Sequence, residues 1–281
     1  MERPKYQIIF IFLLLNLASP GRGVFNSALI LHQEGRISAK QFLLENAAFL
    51  PQTSTENSRS SFKKQIYQAY ISGKMEGWKS AIDAMEKQKK NEPEFILGLI
   101  NYQYGYVAWC LGNEKKNNAK HYLSLLEENL ERLKNTAGET AEYHAYTAAV
   151  YGFKIGLSLW RAPFLGPKSM DHGEQALDAD SQSFQANMEM GNIWNHMPAM
   201  FGGSDEKALT YYSKALEIIE KEPAGIQQNN WMYLNLLTLV GQMHQDMKNQ
   251  EQAKKYFEQA LQIEPGFVWV KEELLPSLKT D

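Results

Sequence analysis

Residues 234–267 read LNLLTLVGQMHQDMKNQEQAKKYFEQALQIEPGF, and this stretch decides the fold. Its apolar residues recur at intervals of three and four, which is the spacing of helices with one buried face. Gly241 and Ala253 are small enough to let two antiparallel helices approach closely. Phe257 fills the space against the next pair of helices, and Pro265 ends the second helix. The stretch therefore predicts a helical hairpin.

The spacing of these residues resembles the tetratricopeptide repeat, a pair of helices about 34 residues long. The departure is His244, which stands where the pattern usually has Tyr. The resemblance implies that such hairpins stack into an α-solenoid. The matching positions, counted from Leu234, are Leu237 (fourth), Val240 (seventh), Gly241 (eighth), Ala253 (twentieth), Phe257 (twenty-fourth), Ala260 (twenty-seventh) and Pro265 (thirty-second).

A second copy of the pattern occupies residues 184–222. Gly191 stands at its eighth place, and Ala208 and Tyr212 keep the four-residue step, although five extra residues separate the two halves. The extra residues fall within 197–203, so the insertion is predicted in the turn between the paired helices. Looser copies of the same steps lie upstream, at Ala119, Leu123 and Leu126 and at Trp78, Ile82 and Met85.

The composition is that of an ordinary globular protein. The chain has 281 residues, of which 44% are hydrophobic and 22% charged, so it can bury a sizeable core. Helical patterns without strand-like alternation predict an all-α domain over residues 24–281, an α-solenoid of about ten to twelve helices. A net charge of -3 supplies no basic field and excludes nucleic acid as a partner. The single cysteine, Cys110, allows no internal disulfide.

Residues 1–23 differ from the rest and predict a signal peptide for export. Arg3 and Lys5 supply positive charge, residues 8–15 are an unbroken apolar run, and residues 19–23 offer small residues for cleavage. The run is short of the roughly 20 residues that span a bilayer, which favours cleavage over an uncleaved membrane anchor. No cysteine follows it for lipidation. We therefore expect a periplasmic or envelope-associated mature chain, not lipidated and without membrane insertion.

Three segments resemble a family of exported tetratricopeptide-repeat proteins common in Bacteroidota-type bacteria. Residues 166–169 read GPKS and residues 201–205 read FGGSD, each before a predicted helix, and residues 145–159 also match. The Gly-Gly turn gives a more distant similarity to the helical component that accompanies substrate-binding proteins of TRAP-type periplasmic transporters. The resemblance implies an α-solenoid with a binding role, and it supplies no catalytic residues.

Sequence patterns for catalysis and metal binding are not met. No nucleophile elbow, phosphate loop or dinucleotide fingerprint occurs, and the six histidines lack the i, i+4 pairing that binds zinc on a helix. Residues 178–189 place oxygens at some calcium-loop positions. However, Ser183 stands where the sharp turn needs Gly, and Gln185 where a hydrophobic residue is needed. We therefore predict no enzyme activity, no catalytic residue, no metal and no cofactor.

Aromatic residues cluster in two predicted helices, within residues 102–109 and 143–160. Most large rings fill gaps between helices, but rings with polar tips along a concave solenoid surface favour peptides or small ligands. Ser169 is predicted to cap a helix, and Lys168 beside it is expected to be an exposed, solvated lysine, with contact to an anionic ligand as the alternative. The predicted binding surface consists of Tyr102, Tyr106, Trp109, Tyr146, Lys168, Trp194 and Phe201.

Two functions follow from these features. The first is a non-enzymatic protein-interaction scaffold of the periplasm or cell envelope, because a solenoid presents a wide groove without a fixed reactive group. The alternative is a small-molecule-binding component of a periplasmic transport system, which needs a closed, aromatic-lined cavity. Convergence of the two aromatic clusters on such a cavity favours the second function, whereas their packing against neighbouring helices favours the first.

Overall fold

The computed structural model describes residues 54–278. The predicted signal peptide, residues 1–23, lies outside that range, as do residues 24–53 of the predicted repeat domain. Between residues 54 and 278 the secondary structure is helical and contains no strand, so the all-α prediction is confirmed for this part of the chain. None of the described helices is long and apolar enough to cross a membrane.

Twelve α-helices follow one another along the described residues, within the predicted number. Short 3-10 turns at Leu159–Arg161 and Ala199–Phe201 and a π-helical turn at Val270–Leu274 supplement them. The α-helices are α1 (Ser54–Ser72), α2 (Met75–Gln88), α3 (Pro93–Gly112), α4 (Lys116–Ala137), α5 (Ala141–Leu157), α6 (Ala162–Ala179), α7 (Phe184–His196), α8 (Asp205–Lys221), α9 (Ala224–Gln227), α10 (Trp231–Asp246), α11 (Gln250–Ile263) and α12 (Leu275–Ser277).

Consecutive helices pair into hairpins. The pairs α3–α4, α5–α6, α7–α8 and α10–α11 make the most extensive contacts in the fold. Successive pairs also touch one another, since α5 lies against both α3 and α7, while α10 lies against α8, the second helix of the preceding pair. Stacking of hairpins in this way gives an α-solenoid, which confirms the predicted fold class for residues 62–278.

A glycine–aromatic contact joins the two helices of each well-formed repeat. A Cβ atom added at Gly241 of α10 would lie 2.4 Å from the ring of Phe257 on α11. A Cβ atom added at Gly191 of α7 would meet the ring of Tyr212 on α8, also at 2.4 Å. Both rings are fully buried. The missing side chain therefore lets the partner ring sit against the helix backbone. The sequence predicts the close approach at Gly241, but it places Phe257 against the next pair of helices, whereas the ring contacts the first helix of its own hairpin.

Serine caps and one tight turn define the connections around α7. The side chains of Ser183 and Ser204 each accept a hydrogen bond from the backbone amide three residues on, at the starts of α7 and α8. The insertion lies between those helices, in residues 197–204, as predicted. At Gly203 an added Cβ atom would lie 1.7 Å from the carbonyl oxygen of Met197, so the turn requires glycine there.

One predicted helix boundary is wrong. Gly166 and Pro167 lie inside α6, which runs through them without a break. Ser169 is therefore not a helix cap, because its hydroxyl is buried and donates to the carbonyl oxygen of Ala148 on α5 at 2.9 Å. Proline removes one backbone hydrogen bond, but the extensive packing of α6 along α5 keeps the helix continuous.

Helices from both ends of the described stack touch each other. Trp231 at the start of α10 donates its indole N–H to Asn101 Oδ1 on α3 at 2.8 Å. Tyr70 of α1 donates its hydroxyl to Asn235 of α10 at 3.1 Å, and its ring centroid lies 5.1 Å from that of Phe267. These contacts complete a wall around the inner face of α3, α5, α7 and α10.

Candidate ligand-binding cavity

The inner helices enclose a cavity of about 450 Å³. Its wall is formed by α1, α2, α3, α5, α7 and α10, together with residues 267–273. Pockets for small molecules typically measure about 300 to 1,000 Å³. Eight aromatic side chains line the cavity, namely Tyr70, Trp78, Tyr104, Trp109, Phe153, Trp231, Phe267 and Trp269.

The cavity-facing positions repeat from helix to helix. Each of the four inner helices presents residues at steps of three and four, which lie on one face of a helix. Among the first residues of these sets, only Glu189 is ionisable. The sets are Gly105, Ala108 and Trp109 in α3, Ala149, Gly152 and Phe153 in α5, Glu189, Asn192 and Ile193 in α7, and Leu239, Gln242 and Met243 in α10.

Where the two ends of the stack meet, the rings pack edge to face. The ring centroids of Trp78 and Trp231 lie 4.9 Å apart with the planes inclined at 70°. Tyr70 lies edge-on to both, at 6.0 and 5.8 Å. A Cβ atom added at Gly105 would lie 2.6 Å from both indoles, so the glycine makes room for them. Such ring pairs are favourable, and they give the cavity a well-packed aromatic side.

A buried carboxyl group belongs to the same wall. Glu189 is 5% exposed and accepts hydrogen bonds from the Asn192 amide at 2.8 Å and from the Tyr104 hydroxyl at 3.4 Å. Asn192 in turn accepts a hydrogen bond from the Tyr212 hydroxyl at 2.7 Å. Burial raises the pKa of Glu189 to about 8, although the two hydrogen bonds act in the opposite direction. The carboxyl group therefore holds its proton at neutral pH.

The remaining titratable groups of the wall outside the tyrosines are two acids and a histidine. Burial raises the pKa of Asp246 and of Glu273, and it lowers that of His196 to about 4, which keeps the histidine neutral. Within residues 54–278, no lysine or arginine lines the cavity. Lys115 contacts one wall residue, since its Nζ lies 4.7 Å from the ring centroid of Trp109.

Four helices end at the cavity. Ser72 is the last residue of α1, His196 of α7 and Asp246 of α10, and Asn113 directly follows α3. The C-terminal end of a helix carries a partial negative charge of about half an elementary charge. Two helices also begin there, since Met75 is the first residue of α2 and Trp231 that of α10, so helix ends of both signs line the wall.

Comparison with known proteins supports this architecture. Residues 234–267, which contain most of α10 and all of α11, match the family model described as tetratricopeptide repeat. The chain is also similar in structure to a thermophilic TPR protein of Thermus thermophilus, with a TM-score of 0.50 and 14% sequence identity over 78% of this chain and 98% of that chain. At this identity the likeness shows the fold alone. No curated protein matches the chain in sequence.

Four of the seven residues predicted to form the binding surface lie on α3 and α5 of the helical stack. Trp109 lines the cavity, and its ring centroid lies 5.5 Å from that of Tyr106. Tyr106 is fully buried, and Tyr146 is nearly so. Tyr102 is half-buried, and its carbonyl oxygen accepts the indole N–H of Trp78 at 2.9 Å. Three of the four therefore pack among the helices around the wall.

The other three predicted residues lie outside the cavity wall. Lys168 is exposed on α6, with its Nζ 5.9 Å from the ring centroid of Tyr151. Trp194 is half-buried on α7, where the Nζ of Lys207 lies 4.0 Å from its ring centroid. Phe201, in the insertion between α7 and α8, packs against the same cluster of buried side chains as Trp194. The structure thus brings Trp194 and Phe201 together.

Most of the cavity wall was not predicted from the sequence. The calcium-loop pattern of residues 178–189 ends at Glu189, and none of the sequence patterns includes Trp231. The repeat alignment nevertheless held a signal, since Gly191 and Gly241 occupy the same place in their repeats. The residues two places earlier, Glu189 and Leu239, therefore share a helix face, and both line the cavity.

Two histidines come together away from the cavity. The Nδ1 atoms of His144 on α5 and His172 on α6 lie 3.0 Å apart, and a carboxylate oxygen of Glu139 lies 3.9 Å from His144 Nε2. Burial, followed by the neighbouring histidine, lowers the pKa of His172. Over residues 54–278, no group of three His, Cys, Asp or Glu side chains is arranged to hold a metal ion.

Proposed function

We propose that this protein is a non-enzymatic binding protein that holds a small ligand in the cavity of its tetratricopeptide-type solenoid. The observation that carries the proposal is the convergence of eight aromatic side chains on one cavity of about 450 Å³. Tyr104 and Trp109 from the first predicted aromatic cluster and Phe153 from the second are among them. A cavity of this size and composition suits an organic ligand with an apolar body.

The cavity carboxyl group is held in a fixed position, which suits a binding role. Glu189 accepts hydrogen bonds from the phenol of Tyr104 and the amide of Asn192. In this proposal the protein works in the periplasm or cell envelope, as residues 1–23 predict, and a role beside a transport system fits a binder of this kind.

Native mass spectrometry of the mature protein, purified without denaturation, tests the proposal. We expect a retained small-mass adduct on the wild-type protein. The variant Ala108→Trp places an indole in the cavity wall and should lose the adduct, whereas Ala137→Trp, at the exposed end of α4, should keep it. An adduct that persists in Ala108→Trp would place the ligand elsewhere and contradict the proposal.

A protein-interaction scaffold is the second candidate, favoured by exposed apolar side chains between α5 and α6. Trp160 is 70% exposed, Phe164 68% and Leu159 45%. Exposed apolar patches of this kind mark protein contacts. If this candidate is right, a partner captured from an envelope extract will be lost with Trp160→Ser and Phe164→Ser and kept with Ala108→Trp. The opposite pattern favours the cavity.

A further inference from the structure

We propose that the ligand of this cavity is an organic cation, a primary ammonium or guanidinium group on a ring-sized apolar body, with the charged group beside Glu189. The inference rests on the proposed function, because it names the ligand class of the same site. Two features of the wall carry it, namely its acidic side chains and its rings.

The ionisable side chains of the wall, apart from the tyrosines and the neutral His196, are all acidic. Asp246 is exposed, Glu273 is half-buried and Glu189 is buried, so acidic groups stand both at the solvent side of the wall and in its interior. No lysine or arginine stands among them in the part of the chain that the structure describes. An anionic ligand therefore finds no positive partner here, whereas an ammonium or guanidinium group pairs with a carboxylate.

The rings supply both the apolar surface and a further attraction for positive charge. Four of the eight aromatic side chains are indoles, which attract cations most strongly through their electron-rich faces. Lys115 demonstrates this within the chain itself, since its ammonium lies 4.7 Å from the ring centroid of Trp109. The four indoles of the wall are Trp78, Trp109, Trp231 and Trp269.

The position of Glu189 predicts that binding is coupled to proton release. Its carboxyl group is protonated at neutral pH because burial raises its pKa to about 8. An ammonium group beside it stabilises the carboxylate, so the Glu189 proton passes to solvent while the ligand keeps its own. The groups around it stay neutral between pH 6 and pH 8, since burial raises the pKa values of Tyr104, Tyr146 and Tyr212 and lowers that of His196 to about 4.

Three probes of similar shape and different charge test the ligand class. They are 2-phenylethylammonium, 2-phenylethanol and 3-phenylpropanoate, titrated calorimetrically into the full mature chain at pH 7.5. We expect the ammonium to bind at least about tenfold more tightly than the alcohol. The anion should bind most weakly of the three.

Two matched variants test the role of Glu189. In Glu189→Gln the affinity for 2-phenylethylammonium should fall about tenfold while that for 2-phenylethanol is unchanged. Glu128→Gln, on the exposed face of α4, should leave both affinities unchanged.

In the wild type the ammonium affinity should rise by up to about tenfold from pH 6 to pH 7, because less work is needed to remove the Glu189 proton. Glu189→Gln should abolish that rise. Calorimetry in buffers of different ionisation enthalpy should then detect no proton release for this variant.

The outcomes separate this inference from the proposed function. Binding of 2-phenylethanol or 3-phenylpropanoate as tight as that of the ammonium would overturn the cation inference and leave cavity binding in place. Failure of all three probes at millimolar concentration would overturn both. Unchanged ammonium affinity in Glu189→Gln would remove Glu189 from the charge site.

Discussion

The α7–α8 and α10–α11 hairpins share one packing contact and present different chemistry to the cavity. In both, a glycine on the first helix receives an aromatic ring from the second. On the inner face of the first helix, α10 presents Leu239 where α7 presents Glu189. The contact between the paired helices therefore fixes the fold, and the inner face remains available for a binding function.

The two aromatic rings also differ in polarity, and the difference matches the cavity residue of each hairpin. Tyr212 carries a hydroxyl that donates to Asn192, and Asn192 supports Glu189. Phe257 lacks that hydroxyl, and the equivalent cavity residue of its hairpin is the apolar Leu239. Tyr212 on the second helix therefore has two roles. Its ring packs the hairpin, and its hydroxyl group supports the polar residues on the cavity face of α7.

Truncating the rings tests whether the two hairpins are equivalent in packing, and it should have the largest effect. Phe257→Ala and Tyr212→Ala each remove a fully buried ring, so each should destabilise the protein by about 3 to 5 kcal/mol. Urea unfolding followed by circular dichroism measures the loss. A cost below about 1 kcal/mol in either hairpin would show that its ring is not the packing element described above.

Glu189→Leu places in α7 the residue that α10 carries, and it should change how stability depends on pH. The raised pKa of Glu189 means that the folded state binds a proton more tightly than the unfolded state does. Its contribution is therefore fully present below pH about 4.5 and is lost as the pH rises through about 8. Wild-type unfolding free energy should fall relative to the variant by about 3 kcal/mol between pH 5 and pH 8. Glu128→Leu is the control, and equal pH profiles for Glu189→Leu and the wild type would contradict the assignment.

Adding one methyl group at the two glycines probes the shared contact directly. Gly191→Ala and Gly241→Ala push a Cβ atom into the rings of Tyr212 and Phe257, which should cost roughly 1 to 3 kcal/mol. Gly98→Ala on α3 meets no atom within 4 Å and should be neutral or slightly stabilising. Thermal unfolding of the three variants measures these differences, and a neutral Gly241→Ala would refute the predicted close approach.

Removing one hydroxyl group should have the smallest effect on stability, and only the α7–α8 hairpin has this hydroxyl group to lose. Tyr212→Phe makes α8 resemble α11 and leaves Asn192 Oδ1 without its donor, at a cost of about 1 kcal/mol. The same change should weaken the support of Glu189 and reduce ammonium affinity. Chemical denaturation and calorimetry with 2-phenylethylammonium measure the two effects. If Tyr212→Phe kept both its stability and its affinity for 2-phenylethylammonium, α8 would have no influence on the cavity.

Local features of the fold were predictable and the cavity was not. The hairpins, the 197–203 insertion and the glycine contacts follow from residues close together in the sequence. The helix through Pro167 was missed because packing against α5 overrides the local signal of proline. Trp78, Trp231 and Trp269 line one cavity because the stack of helices is curved. The curvature depends on every interface between repeats, so the spacing of residues within one repeat does not predict it.

The contacts between Trp231 and Asn101 and between Tyr70 and Asn235 have a consequence for synthesis. A growing solenoid adds hairpins one at a time, and each can fold on its predecessor. The wall that α1 shares with α10 and Phe267 closes only after residues 70–267 have emerged. A prematurely terminated product would contain folded hairpins and no binding site, so ligand retention would distinguish complete molecules from truncated ones.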